Sequence, residues 1–389
     1  MAGTDEANAR KLLTAAAVRE RAQEMLAIAE AGGLAEWRLD LSRLEAAADL
    51  TAQVVRENYP TLQVPFHARW RHFVANGRDL WAETKKPGIK AALGRTAFDL
   101  VIPSVLLDAG AGAAWRYRDA ATGAVLGRSE GLGVASLRLF QSGALSSDPD
   151  DPLRADALHA VDAEMIAKAF QVTRRNPLVG VEGRAALLNQ LGRAVGQPAA
   201  LFDIMSRHAE KGKLPAPVIL EVLLQALGPI WPGRLSLGGV ALGDCWTHPA
   251  IDGYVPLHKL SQWMSYSLIE PLQWGGIEVT DIDGLTGLAE YRNGGLFVDM
   301  GVLVLRDPAD AAKAHPVDGP LVVGWRSLTV ALLDRLAPLV RERLGVTAKA
   351  FPLARVLEGG TWAAGRRIAA QRRPDLSPPI AVVSDGTVF

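Results

Sequence analysis

Leucine and alanine recur three and four residues apart through most of this chain, which places apolar side chains along one face of a helix rather than one face of a strand. The pattern first runs over residues 8–31, with Leu12, Ala16, Met25 and Ile28 in register and Gly32-Gly33 as the stop. Asp40 and Ser42 cap a second helix that reaches about Asn58, and Pro60 ends it. Helical spacing returns at about 130–143, 156–170, 183–196, 214–227, 257–272, 325–344 and 352–372. Strand signals are few. Residues 116–129 read as a hairpin turning at Thr122-Gly123, and Leu321–Val323 and Ala381–Val383 read as short strands. These patterns predict a mainly α protein with a minor β-hairpin element. The polar, proline-broken stretch 146–155 reads as a surface loop inside one domain of residues 1–389; the alternative is a boundary between lobes 1–150 and 151–389.

Composition narrows the function. Lys plus Arg and Asp plus Glu are both 42 among 389 residues, so the net charge is zero, which argues against nucleic acid as the partner. A single cysteine, Cys245, rules out an intrachain disulfide and a cysteine-built zinc cluster. No stretch approaches the roughly 20 apolar residues that span a bilayer. The opening MAGTDEANARKLL lacks the basic and apolar regions of a signal peptide, so a cytoplasmic protein is expected. HExxH, GxSxG and GxGxxG are all missing, and no two histidines stand four apart on a helix. Neither a metal nor a cofactor is expected.

Five segments carry polar chemistry. In 64–79, His67, Arg69, Arg71 and His72 interleave with Phe66, Trp70 and Phe73, which suits an anionic ligand with a flat part or a surface helix with snorkelling arginines. In 98–119, an apolar run meets Asp108 and the small residues Ala109 to Ala114, a place for close ligand approach or for tight helix packing. Arg128, Ser129 and Glu130 open a helix, which is a helix cap or an anion site. Asp244, Trp246 and His248 precede His258, Lys259, Gln262, Trp263 and Tyr266; positions 259, 262, 263 and 266 share a helical face, as a pocket wall or as satisfied polar groups. Finally, Asp281, Asp283, Glu290 and Asp299 lie within nineteen residues, with Arg292 and Asn293 among them, around an LTGL turn at 285–288. The EF-hand spacing fails there.

Together, VPFHARWRHF (64–73), VLLDAGAGAAWRY (105–117), RSEGLGVASL (128–137), VPLHKLSQWMSYSLIEPL (255–272) and LTGLAEYRNGGLFVDMGVL (285–303) resemble the family of the fourth protein of the Urc uracil-catabolism pathway, also called the Urg3 family. Ala289 stands where that family is expected to have proline. The blocks 176–196, 242–246 and 281–292 also resemble the queuosine 5′-phosphate N-glycosidases, whose architecture is akin to helix-hairpin-helix glycosylases. That likeness implies a single large helical domain, helix-hairpin-helix glycosylase-like. It aligns the catalytic aspartate with Asp281, and an Ala-Asp-Tyr-Arg run with Ala289, Glu290, Tyr291 and Arg292. The aromatic residues that stack a base in those enzymes are not clearly kept in 105–115, which suggests a ligand without a purine-like base.

The pathway resemblance implies a step that frees urea from ribose, so hydrolysis of the N-glycosidic bond of a ribosylurea, as its 5-phosphate, is the expected activity. Such a reaction passes through an oxocarbenium-like transition state that a carboxylate stabilises, or for which it activates water. Asp281 is assigned that role, with Asp244 and Glu290 next in order. A carboxylic acid or His258 protonates the urea. Arg292, Lys259, Arg69 and Arg128 are candidates for the phosphate, and Asn293, Gln262, Trp263, Tyr266, His67 and Asp108 complete the expected ligand contacts. The rival reading is a non-catalytic protein that binds an intermediate of the same pathway.

Overall fold

The computed structural model describes residues 2–85, 90–108, 110–112, 114–231 and 234–383. The first helical pattern becomes two helices, Ala2–Leu12 and Ala15–Glu30, because Thr14 breaks the run and accepts a hydrogen bond from the Ala17 N–H as an N-cap. Helix Leu44–Asn58 follows a 3-10 turn whose cap is Asp40. The long helix Pro320–Leu344 packs against both of the helices Ala15–Glu30 and Leu44–Asn58. Leu321–Val323, expected as a strand, forms its first turn instead. All three residues are buried, so β-branched character there marks core rather than sheet.

Helix Lys90–Leu106 packs against helix Lys259–Trp274. The former is buried on every side from Ala97 to Leu106, which is why no amphipathic pattern betrays it. Each large aliphatic side chain buried this way contributes about 1.5–3 kcal/mol. The expected helix at 156–170 contracts to Ala163–Ala169.

Sheets among the described residues are two-stranded. The predicted hairpin is present: Tyr117–Arg118 pairs antiparallel with Val125–Leu126, and Gly123 supplies the positive φ of 72° its turn requires. Ala381–Val383 pairs in parallel with Ala314–Pro316. The stretch 146–155 is loop, and one hydrophobic cluster takes in residues from Leu13 to Ile380. No helix among the described residues is long and apolar enough to cross a membrane.

Candidate active site

The segment before His72 is nailed to helix Lys259–Trp274. Trp70 sits 4.8 Å from Trp274 and 5.1 Å from Trp81, each such pair contributing about 0.5–1.5 kcal/mol. Its Nε1–H donates to the Ser267 carbonyl at 2.7 Å, and the Arg69 N–H donates to Ser267 Oγ at 2.9 Å. Gly133 lets helix Arg128–Gln141 come close on the other side, since a Cβ there would strike the His72 carbonyl. Farther along the chain, helix Tyr291–Asp299 crosses helix Trp362–Arg372 at Gly365, where a Cβ would collide with the Arg292 carbonyl. These two close approaches help bring six parts of the chain around one cavity.

The cavity measures about 310 Å³. His67, His72, Asp108, Lys259, Trp263 and Glu290 line it together with Arg128, Glu130, Tyr291, Arg292, Trp362 and Arg366. Arg128 and Arg366 are exposed and form a cationic rim. Arg366 lies 3.3 Å from Glu130 and stacks 5.6 Å over Trp362. Arg128 holds a left-handed φ of 52°, a conformation that costs about 1 kcal/mol or more for a bulky residue.

Glu290 is 8% exposed and caps helix Tyr291–Asp299, its two oxygens accepting from the Arg292 and Asn293 N–H groups. Burial pushes its carboxyl above the ordinary range, while those donors and the charges of Lys259 and His67 pull it down. Lys259 Nζ has no hydrogen-bond or ion-pair partner among the described residues. Burial lowers its ammonium, and Glu290 and Asp108 both oppose that by attraction. Asp108 is held at 2.8 Å by the fully buried Arg69 and accepts from Ser129 Oγ at 3.2 Å. Desolvation and then the Arg69 charge push His72 down to about 3, so its ring is neutral. Trp263 has a buried Nε1–H without a partner among the described residues.

Residues 11–389 match the family described as "Protein of unknown function (DUF1688)". The chain is 41% identical over 395 residues to Protein urg3 of Schizosaccharomyces pombe, covering 97% of this chain and 98% of that one. It is 37% identical over 406 residues to Uracil catabolism protein 4 of Lachancea kluyveri, covering 91% and 92%. The chain belongs to the Urg3/uracil catabolism protein 4 family.

In this family member the cavity gathers Glu290, Arg292, Lys259, Trp263, His67, Asp108 and Arg128 from the residues the sequence singles out. The others lie elsewhere, for physical reasons. Asp281 is exposed on a 3-10 turn, with a left-handed φ of 49°, and does not line the cavity. Asp244 is bound by Arg326 through two contacts of 2.8 and 2.7 Å. His258 gives Nε2 to the Leu12 carbonyl at 2.9 Å and is buried away from the cavity. Gln262 and Tyr266 clamp the LTGL turn: Gln262 Nε2 donates to Thr286 Oγ1 at 2.8 Å and Tyr266 Oη to the Thr286 carbonyl at 2.9 Å. Asn293 is consumed by Leu288 and Thr361, and Arg69 stands behind Asp108. Ala109 and Ala113 of the small-residue patch lie outside the described residues.

Sequence reasoning did not select His72, Glu130, Tyr291, Trp362 or Arg366 as site residues. The one available signal for the last two was an aromatic and an arginine four apart on a helix of weak amphipathic character.

Proposed function

We propose that this chain hydrolyses the N-glycosidic bond of a ribosylurea 5-phosphate, releasing urea and ribose 5-phosphate in uracil catabolism. The observation that carries this reading is Glu290: a carboxylate pinned by two backbone N–H groups in the wall of a polar, aromatic-walled cavity that also holds the Lys259 ammonium, which has no ion-pair partner among the described residues. The cavity sits at the small end of the ~300–1,000 Å³ typical of small-molecule sites, which suits a sugar phosphate without a large base. The name of the Lachancea relative supports the pathway.

Glu290, rather than Asp281 or Asp244, takes the role of stabilising the cation at ribose C1. A desolvated carboxylate gains more from a charge developing beside it than one in water does. Lys259, Arg128 and Arg366 receive the phosphate, helped by the positive end of helix Arg128–Gln141. Trp263, Tyr291 and Trp362 supply faces for the sugar and the urea.

The test is to incubate the protein with synthetic ribosylurea 5-phosphate, with UMP and queuosine 5′-phosphate as comparisons, and to assay urea or free base. Urea release from the first compound alone is the expected result. Tight binding of one compound with no turnover of any overturns the catalytic reading in favour of an intermediate-binding protein.

Two substitutions sharpen the assignment. Asp281→Asn is expected to leave turnover within about two-fold of wild type, because exposed substitutions away from a site stay within about ±0.5 kcal/mol. A hundred-fold loss would return Asp281 to the reacting centre. Lys259→Met is expected to raise KM for the phosphorylated substrate about 10- to 100-fold, the worth of a charge-assisted hydrogen bond at about 1.5–3 kcal/mol. With unphosphorylated ribosylurea the KM gap should close; an equal gap on both substrates would assign Lys259 to another part of the ligand.

A further inference from the structure

Urea is a poor leaving group, so cleavage at C1 requires a proton donor facing the bond. We propose that His67 is that donor and that Glu358 positions it, an inference that rests on the ribosylurea reading above. His67 Nδ1 lies 2.7 Å from Glu358 Oε2. His67 lines the cavity, and its Nε2 has no protein partner among the described residues. The ring sits between Trp263 at 6.3 Å and Trp362 at 6.4 Å. Its backbone is tied by the His67 N–H to the Ala354 carbonyl at 2.9 Å. A carboxylate on Nδ1 fixes the tautomer and the orientation of the ring, leaving Nε2 to act on the ligand.

Glu358 reaches this position through local backbone geometry. Residues Leu357–Thr361 form a π-helical turn between helices Leu353–Val356 and Trp362–Arg372. Such turns are rare and concentrate at functional sites. Gly359 and Gly360 within it press against Val64 and Thr51, where a Cβ would collide. The turn thus delivers Glu358 to His67, and the helix that follows delivers Trp362 and Arg366 to the same cavity. The other cavity histidine is a poor rival, since His72 Nδ1 faces the Arg69 guanidinium at 3.2 Å. His67 and Glu290 line the same cavity, so donor and carboxylate face one bound ligand.

In the step, His67 acts as the imidazolium, with Nδ1–H held by Glu358: the C1–N bond breaks, its electron pair stays with the urea nitrogen, and that nitrogen takes the proton from Nε2, leaving the ring neutral. Water adds its oxygen at C1, and the proton it sheds restores the histidine. The sum is ribosylurea 5-phosphate plus water giving ribose 5-phosphate and urea.

The experiment compares two substrates on the full chain: ribosylurea 5-phosphate and 4-nitrophenyl ribofuranoside 5-phosphate, whose leaving group departs as an anion without a proton. His67→Asn is expected to lower kcat on ribosylurea about 10²- to 10⁴-fold, the usual worth of a general acid, with far less effect on the nitrophenyl substrate and little on KM. Glu358→Gln is expected to show the same selectivity with a smaller loss, which a packing defect would not produce. Thermal melting and ribose 5-phosphate binding check that each variant is folded. Equal loss on both substrates, or no loss on either, overturns the donor assignment while leaving the glycosidase reading intact. A wild type inert toward ribosylurea overturns both.

Discussion

Glu290→Gln is expected to reduce kcat for urea release by about 10²- to 10⁴-fold while leaving substrate binding nearly unchanged, the scale of removing a catalytic carboxylate or a preorganised charge. Its structural cost should be small. Gln keeps one oxygen to accept from the Arg292 or Asn293 N–H and loses the second acceptor, a change of about 1 kcal/mol at a helix cap. Turnover and a guanidinium denaturation midpoint, measured on the same preparation, separate the two effects. A kcat loss under ten-fold would remove Glu290 from the centre of the reaction. pH gives a second check. Burial raises the Glu290 carboxyl above its ordinary range, so the carboxylate form is lost as pH falls through that raised value. The acid limb of kcat should therefore lie above the normal glutamate range. Stability runs the opposite way at this residue, because a carboxyl raised in the fold binds its proton more tightly than the unfolded chain does, and rising pH withdraws that advantage.

The acidic residues between 281 and 299 show what sequence conveys about this site and what it does not. Asp281, Asp283, Glu290 and Asp299 look alike as letters in a Gly-rich stretch. In space, Asp281 is exposed, Asp283 pairs with Arg341 at 2.7 Å, and Asp299 pairs with Arg373. Only Glu290 of the four lines the cavity. The partners that decide this lie fifty or more residues away, beyond any local pattern. The same holds on helix Lys259–Trp274. Its polar-aromatic face is legible from spacing, but Lys259 and Trp263 meet the cavity while Gln262 and Tyr266, on the same face, meet Thr286. Periodicity identifies a face and is silent on what covers each part of it. Helices with one dry face were readable for this reason. Helix Lys90–Leu106 was not, because a helix wrapped in protein has no polar side, and Pro103 within it argues against helix. The nearness of Trp362 to Glu290 depends on a helix crossing at Gly365, which is a tertiary fact.

Asp244→Asn is expected to do the reverse of Glu290→Gln: a large loss of stability with a lesser effect on turnover per folded molecule. Arg326 is 1% exposed and holds Asp244 through both oxygens, so neutralising the acid removes the carboxylate that faces a buried guanidinium. Breaking one side of such a pair costs about 3–5 kcal/mol. The pair is also a structural junction. Asp244 accepts from Trp246 Nε1 at 2.6 Å and from the Lys259 N–H at 2.9 Å, and Arg326 Nε reaches the carbonyl of Ala289 at 3.3 Å. It therefore braces the residues that carry Lys259 and Glu290 into the cavity, and some loss of kcat should accompany the loss of stability. Burial alone would raise the Asp244 carboxyl, but Arg326, Trp246 and the Lys259 N–H together hold it well below the usual range. Its stabilisation is therefore complete above the unfolded carboxylate pKa and is lost only as pH falls through the depressed folded value, so the penalty in Asp244→Asn should be flat from about pH 5 to 8. Arg326→Met should cost a similar amount, and the Asp244→Leu, Arg326→Met double variant less than the sum, because no buried charge is then left alone. Denaturation midpoints across the three variants test this. Should Asp244→Asn instead abolish turnover at unchanged stability, Asp244 would be a reacting carboxylate, and the chemistry would belong on its side of helix Lys259–Trp274 rather than in the cavity around Glu290.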